Sequence, residues 1–379
     1  MIYLDANATT PMHPEVLEAM MPYLTDCFHN PSSPTLSGRR IRKAINHARE
    51  QVAELIGAHP DQITFTSGGT EANNLALRSM ARRHKAIITS AIEHPAILNP
   101  CQALSKKGHP LTVCEVDPQG YLDLKKYRTA LASHTSGMSS VMWANNETGA
   151  IQAISEIAEL TRSAGWLFHT DAIQAAGKLP LDVRETSVDF LSLSAHKFHG
   201  PKGIGALYSR SEDEITPSIL GGGQEKGARS GTEHVAGIIG MGKAAEMAQA
   251  ALLRNEPLKG AARRDAFLAS LQENIPGLRL HSSAGPCLWN VVNLSVEGCF
   301  SAALRILLDD AGLVCSAGSA CMTGSHKGSH VLEAMGVAKE EAAGALRLSL
   351  SLLNTSAELE TAVNLITTAV AEVRRELQK

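Results

Sequence analysis

Lys197 closes the run Ser194-Ala195-His196-Lys197, between apolar stretches at residues 188–193 and 204–208 that read as buried strands. Gly200 and Pro201 force a turn between them. A lysine desolvated in such a loop loses proton affinity and becomes a neutral amine able to form a Schiff base, whereas an ordinary loop lysine faces water. Asp171 ends another apolar stretch at residues 166–170, where a partly buried carboxylate needs a partner. It either caps a helix or faces a cation such as the protonated nitrogen of a pyridine ring. Ser67-Gly68-Gly69-Thr70 joins a strand at 63–66 to a helix, gathering backbone N–H groups, a hydroxyl and a helix dipole around one point. That cup suits a phosphate, although the same residues also make a plain turn with Thr70 capping the helix. Taken together, the lysine, the aspartate and the phosphate cup specify pyridoxal phosphate.

A second reactive element lies far along the chain. Residues 315–325, Cys-Ser-Ala-Gly-Ser-Ala-Cys-Met-Thr-Gly-Ser, are nearly all small, which predicts a mobile loop with Cys321 exposed and reactive near its centre. Cys321, His326 and His330 lack a fourth ligand at recognisable spacing, so no resident metal is expected.

The elements that must position these groups alternate. Strands are predicted at 63–66, 86–90, 111–116, 140–143, 166–170, 188–194 and 204–208, with helices between most of them, which is the pattern of an α/β domain with a mostly parallel sheet. Ligands of such sheets gather at the carboxyl ends of the strands. The polar residues there are Glu93, His94, Asn145, Asn146, Asp171, Gln174, Ser194, His196 and Lys197. An amphipathic helix at 38–56 carries Arg39, Arg40, Arg42 and Lys43 on what reads as a solvated face. The glycine-rich stretch 221–232 reads as a flexible exposed loop, and a smaller α/β unit is predicted to begin near Pro257. A chain of 379 residues with a formal charge of −3 suits two domains and offers no basic stripe for nucleic acid. No apolar run is long enough to span a membrane, and seven irregularly spaced cysteines with no export signal read as reduced thiols, so a cytoplasmic protein is expected.

These residues, in this order, resemble the cysteine desulfurases of the class V pyridoxal phosphate aminotransferase family, of the iron–sulfur assembly and nitrogen-fixation type. The resemblance rests on Tyr3-Leu-Asp-Ala-Asn-Ala-Thr-Thr-Pro11, Asn30-Pro-Ser-Ser33, Thr66-Ser-Gly-Gly-Thr-Glu-Ala-Asn-Asn74, Glu93-His94, Asn145-Asn-Glu-Thr-Gly149, Asp171 to Gln174, Ser194-Ala-His-Lys197, Arg229-Ser-Gly-Thr232 and Gly318-Ser-Ala-Cys321. It implies the α/β fold type I of pyridoxal phosphate enzymes, with a large cofactor domain over 15–257 and a small domain from 1–14 and 258–379 carrying the cysteine loop. It implies that Lys197 forms the Schiff base and removes a proton, that Asp171 faces the ring nitrogen, and that His94 stacks on the ring. It further implies that Gln174 and Asn146 bond the phenolic oxygen side, and that Gly69, Thr70, Ser194, His196 and a Thr232 from a second subunit hold the phosphate. Arg347, with Asn146, would bind the substrate carboxylate of L-cysteine. The implied products are L-alanine and a persulfide on Cys321, passed to an acceptor such as an iron–sulfur scaffold or a thiolation relay, with Cys321 also placed to touch a cluster held transiently with that partner. A homodimer follows. Selenocysteine lyase or another class V activity is the alternative; an aminotransferase has no use for Cys321. The chain departs from the family at Ala317, Ser301-Ala302, Ser351 and His326-Lys327-Gly328, none of them a catalytic group.

Overall fold

The computed structural model describes residues 1–211, 214–317 and 328–377. Its main sheet has seven strands in the spatial order Ile63–Thr66, Gly205–Ser209, Phe190–Ser194, Leu167–Asp171, Gly137–Ser140, Ala86–Ser90 and Leu111–Cys114. The last five pair in parallel, as expected. Gly205–Ser209 runs antiparallel to both of its neighbours, since only a short turn separates it from Phe190–Ser194. The strand expected at 140–143 forms instead at Gly137–Ser140, and Val141, Met142 and Trp143 follow it as buried connecting residues.

Helices cover the sheet. Gly69–Ala81 buries Ala72, Leu75, Ala76 and Met80. Leu36–Leu55 packs on Val235–Leu253 so closely that a Cβ on Gly242 would stand 2.6 Å from the Cα of Ala48. Only a residue without a side chain fits there.

The C-terminal part builds a second, antiparallel sheet in the order Ser316–Ala317, Leu346–Ser349, Val291–Val296 and Leu278–Leu280. Helices Glu256–Asn274, Ser301–Asp310 and Ser356–Leu377 supply the apolar residues of its core, and Leu4 joins that core from the other end of the chain. The N-terminus reaches it because Ile2–Tyr3 pairs in parallel with Leu313–Val314 and Asp5 bridges to Ser349. Residues 5–10 then run between the two sheets, and the site is built against them.

Candidate active site

Lys197 ends the short turn Ala195–Lys197 directly after Phe190–Ser194. It is half-buried, and its Nζ donates to the backbone oxygens of Asn7 and Ala8, each at 2.7 Å. Asn7 is a hub. Its N–H donates to Ser349 Oγ at 3.0 Å, its Nδ2 to the Asn146 carbonyl at 3.0 Å, and its Oδ1 accepts from Asn290 Nδ2 at 3.0 Å. Gln174 Nε2 donates to the Asn7 carbonyl at 2.9 Å, while its Oε1 accepts from Lys178 Nζ at 2.6 Å. Lys178 is buried with no carboxylate hydrogen-bonded to it among the described residues, and burial, then the nearby cations Lys197 and Arg347, hold its amine well below the usual lysine range.

Asp171 is the last residue of Leu167–Asp171. Its Oδ2 accepts from Asn73 Nδ2 at 2.7 Å and its Oδ1 from the Ile173 N–H at 3.0 Å. Burial pushes the carboxyl up, against the pull of those two bonds and of His94 and Lys197. His94 caps helix Pro95–Ser105, its Nδ1 accepting from the Ala96 N–H at 3.0 Å. That bond fixes the tautomer, so the neutral ring carries its proton on Nε2. Burial lowers the proton affinity of His94, with Asp171 opposing. Glu93 behind it is fully buried, and burial raises its carboxyl to about 8, so it keeps its proton at neutral pH.

On the other side, helix Gly69–Ala81 starts from Gly68 with no side-chain cap. Thr70 lies inside the first turn, so its hydroxyl is not the cap and the helix end keeps its N–H groups available. Ser194 and His196 stand beside it, with His196 lowered to about 4 by burial and then by Lys197, hence neutral. The glycine-rich loop is exposed at residues 221–223, and charge pairs tie it to the rest of the structure. Glu225 takes a bidentate pair from Arg49 at 2.7 and 2.8 Å, Glu71 accepts from Arg229 at 3.0 Å, and buried Glu233 accepts from Arg42 at 2.8 Å. Arg42 is thus a tether, correcting its reading as part of a solvated face; the acidic partners lie far along the chain, where helical spacing gives no hint of them.

Arg347 lies in Leu346–Ser349 and is 2% exposed. It donates to Asp5 Oδ1 at 2.8 Å and to the Asn146 carbonyl at 3.3 Å, and its Nε has no acceptor among the described residues. Ten of the twelve site residues expected from sequence line one cavity: Gly69, Thr70, His94, Asn146, Asp171, Gln174, Ser194, His196, Lys197 and Arg347. Thr232 is exposed and does not line it. Cys321 lies outside the described residues. Cys101 and Cys315 are pushed up to about 12 by burial and stay protonated. Sequence reading missed Asn7, Asn73 and Lys178, although Asn73 follows Gly69 by four residues and so shares its helix face.

The aminotransferase class-V family model matches residues 2–361. The chain belongs to the class V aminotransferase family. A cysteine desulfurase of Sinorhizobium fredii is 45% identical over 98% of this chain and 97% of its own. Among solved structures, a NIFS-like protein superposes with a TM-score of 0.91 at 34% identity over 98% of this chain and 99% of its own. SspA in complex with cysteine gives 0.83 at 34% identity over 94% of this chain and 100% of its own. Class V aminotransferases of this kind are pyridoxal phosphate enzymes, with the fold seen here. The donor set fits that cofactor. A buried carboxylate held only by neutral donors, with its proton affinity raised, gains a counter-charge from a protonated pyridine nitrogen. An uncapped helix end beside Ser194 suits a phosphate.

Proposed function

We propose that the protein is a cysteine desulfurase, converting L-cysteine to L-alanine and moving the sulfur to Cys321 as a persulfide. The observation that carries this reading is the single cavity that joins Lys197 and Asp171 to Arg347, an arginine whose Nε–H lacks an acceptor among the described residues. Gly69, Thr70, Ser194 and His196 hold the phosphate of pyridoxal phosphate, and Asp171 faces its ring nitrogen. When bound, the cofactor supplies an electron sink for negative charge developing on a substrate carbon. His94 covers the ring and offers a proton from Nε2, while Gln174 and Asn146 lie toward the phenolic oxygen. Lys197, resting on the Asn7 and Ala8 carbonyls, leaves them to carry the α-proton. Arg347 takes the substrate carboxylate with Nε and a terminal nitrogen, a bidentate task suited to guanidinium. The Cys321 thiolate attacks the substrate sulfur, so the carbon–sulfur bond breaks as the sulfur–sulfur bond forms.

The same reading places Thr232 in the site of a second subunit, making the enzyme a homodimer; its exposure supports this. It assigns residues 15–257 to the cofactor domain and 1–14 with 258–379 to the small domain, supported by the core that Leu4 shares with residues 267–373. It also makes an acceptor protein, an iron–sulfur scaffold or a thiolation relay, the destination of the sulfur, in the cytoplasm; no described helix is long and apolar enough to cross a membrane. The test is release of alanine and sulfide from L-cysteine under excess reductant, for the wild type and Cys321→Ala. Both products from the wild type and neither from the variant are expected; full turnover by the variant would refute transfer through Cys321.

A further inference from the structure

Asp5 is a carboxylate whose two oxygens are both committed inside the protein. Oδ1 accepts from Arg347 at 2.8 Å and Oδ2 from the Ser316 hydroxyl at 2.8 Å, with Asp5 itself only 9% exposed. Its backbone is fixed as tightly. Asp5 bridges to Ser349, the Ala6 N–H donates to the Ser349 carbonyl at 3.0 Å, and the Tyr3 hydroxyl donates to the carbonyls of Asp5 and Thr9 at 3.1 and 2.8 Å. Ser316 in turn is paired across the sheet with Arg347 itself. The guanidinium is therefore held from one side by a carboxylate that cannot swing away.

The consequence is selective. One terminal nitrogen of Arg347 is occupied by Asp5 and the other leans on the Asn146 carbonyl at 3.3 Å, while the Nε–H is buried in the cavity wall without an acceptor among the described residues. Nη2 carries two N–H groups and shares one edge of the planar guanidinium with Nε, so its bond to Asp5 fixes the direction in which its second N–H and the Nε–H point. We propose that Asp5 is a positioning residue: it aims the free edge of Arg347 at the substrate carboxylate and so sets the enzyme's preference for amino acids over their neutral derivatives. This rests on the proposed role of Arg347. Asp5 touches neither substrate nor cofactor and acts through the arginine alone.

The test is binding, not turnover. The holoenzyme is titrated with L-alanine and with L-alaninamide, which lacks the carboxylate, following the absorbance of the bound cofactor. The wild type is expected to prefer L-alanine strongly. In Asp5→Asn, which keeps the shape and removes the charge, that preference falls by about tenfold or more, in line with the loss of one charge-assisted bond, while L-alaninamide affinity is retained. A general loosening of the site would weaken both ligands together. An unchanged or increased preference overturns the proposal, the latter marking Asp5 as a competitor for the arginine. Arg347→Lys is run in parallel. If it abolishes the preference and Asp5→Asn does not, the role of Asp5 alone is wrong; if it leaves the preference intact, the carboxylate clamp is wrong and Asp5 goes with it. Should Asp5→Asn give no soluble holoenzyme, Ser316→Ala carries the test, with a smaller fall of about threefold expected because the hydroxyl holds only the second oxygen of Asp5 and the pair with Arg347 is kept, and no fall overturning it.

Discussion

Glu93→Gln should make the protein more stable as the pH rises. Glu93 is fully buried; its Oε1 accepts from the Ser90 hydroxyl at 2.5 Å and the Met142 N–H at 2.8 Å, while Oε2 has no partner among the described residues. Burial first, then the neighbouring Asp171, raises its carboxyl from 4.5 to about 8. The sign follows from proton binding. Between those two values the folded chain keeps the proton and the unfolded chain has lost it, so wild-type stability is full below the unfolded value and falls as the pH climbs, levelling off above about 8. At about 1.4 kcal/mol per pH unit, the whole interval amounts to about 5 kcal/mol. Glutamine keeps both accepted bonds and never ionises. Urea unfolding of wild type and variant, compared at each pH from about 5.5 to about 9, cancels what pH does to the rest of the chain. The difference should grow by about 1.4 kcal/mol per unit up to about pH 8 and then stay level. A difference that does not change with pH would mean that Glu93 folds with its charge intact, and the reading of Glu93 as a buried neutral acid would be refuted.

Other outcomes follow from the same contacts. Asn73→Ala removes the 2.7 Å bond to a buried carboxylate, worth about 1.5–3 kcal/mol, and should raise the dissociation constant for pyridoxal phosphate about tenfold or more, measured by absorbance after dialysis. Arg49→Met strands the buried Glu225 without its bidentate partner; a loss of about 3–5 kcal/mol is expected by chemical denaturation, and a change under about 1 kcal/mol would show the pair to be solvated. Gly205→Ala places a Cβ 2.6 Å from the Leu193 carbonyl oxygen and 2.6 Å from the Gly68 backbone. Because backbone cannot step aside, a cost of about 1–3 kcal/mol and weaker cofactor retention are expected together, read by thermal melting and absorbance.

The strand and helix order was legible because the elements keep their periods: buried runs such as Phe190–Ser194 end in polar residues that the sheet edge exposes to one cavity. The strand at Gly137–Ser140 was displaced in sequence reading because Gly-Met-Ser-Ser is less apolar than the Val141-Met142-Trp143 that follows, although all seven are buried. Apolarity reports burial, not pairing. Lys197, Asp171 and the Gly69-Thr70 cup could be found because each sits at a strand end or helix start. Asn7 and Asp5 could not, since their meaning lies in partners such as Ser349, Asn146 and Arg347 more than a hundred positions away. The tethers of the glycine-rich loop were hidden for the same reason: its composition speaks of freedom, and Arg42, Arg49 and Glu71, which pair with Glu233, Glu225 and Arg229, come from elsewhere.

The seam between residues 2–7 and 312–349 also fixes the order in which the enzyme is assembled. Ile2 pairs with Leu313, Asn7 with Ser349 and Asp5 with Arg347, so residues 2–7 wait for partners synthesised about three hundred residues later. Contacts so distant in sequence close late and slowly. Until they do, Lys197 lacks the two carbonyls that hold it, and a C-terminally truncated chain is expected to have no finished amine site. Capture of the cofactor is thereby tied to the arrival of residues 312–349, and a fragment cut short of residue 346 should emerge colourless.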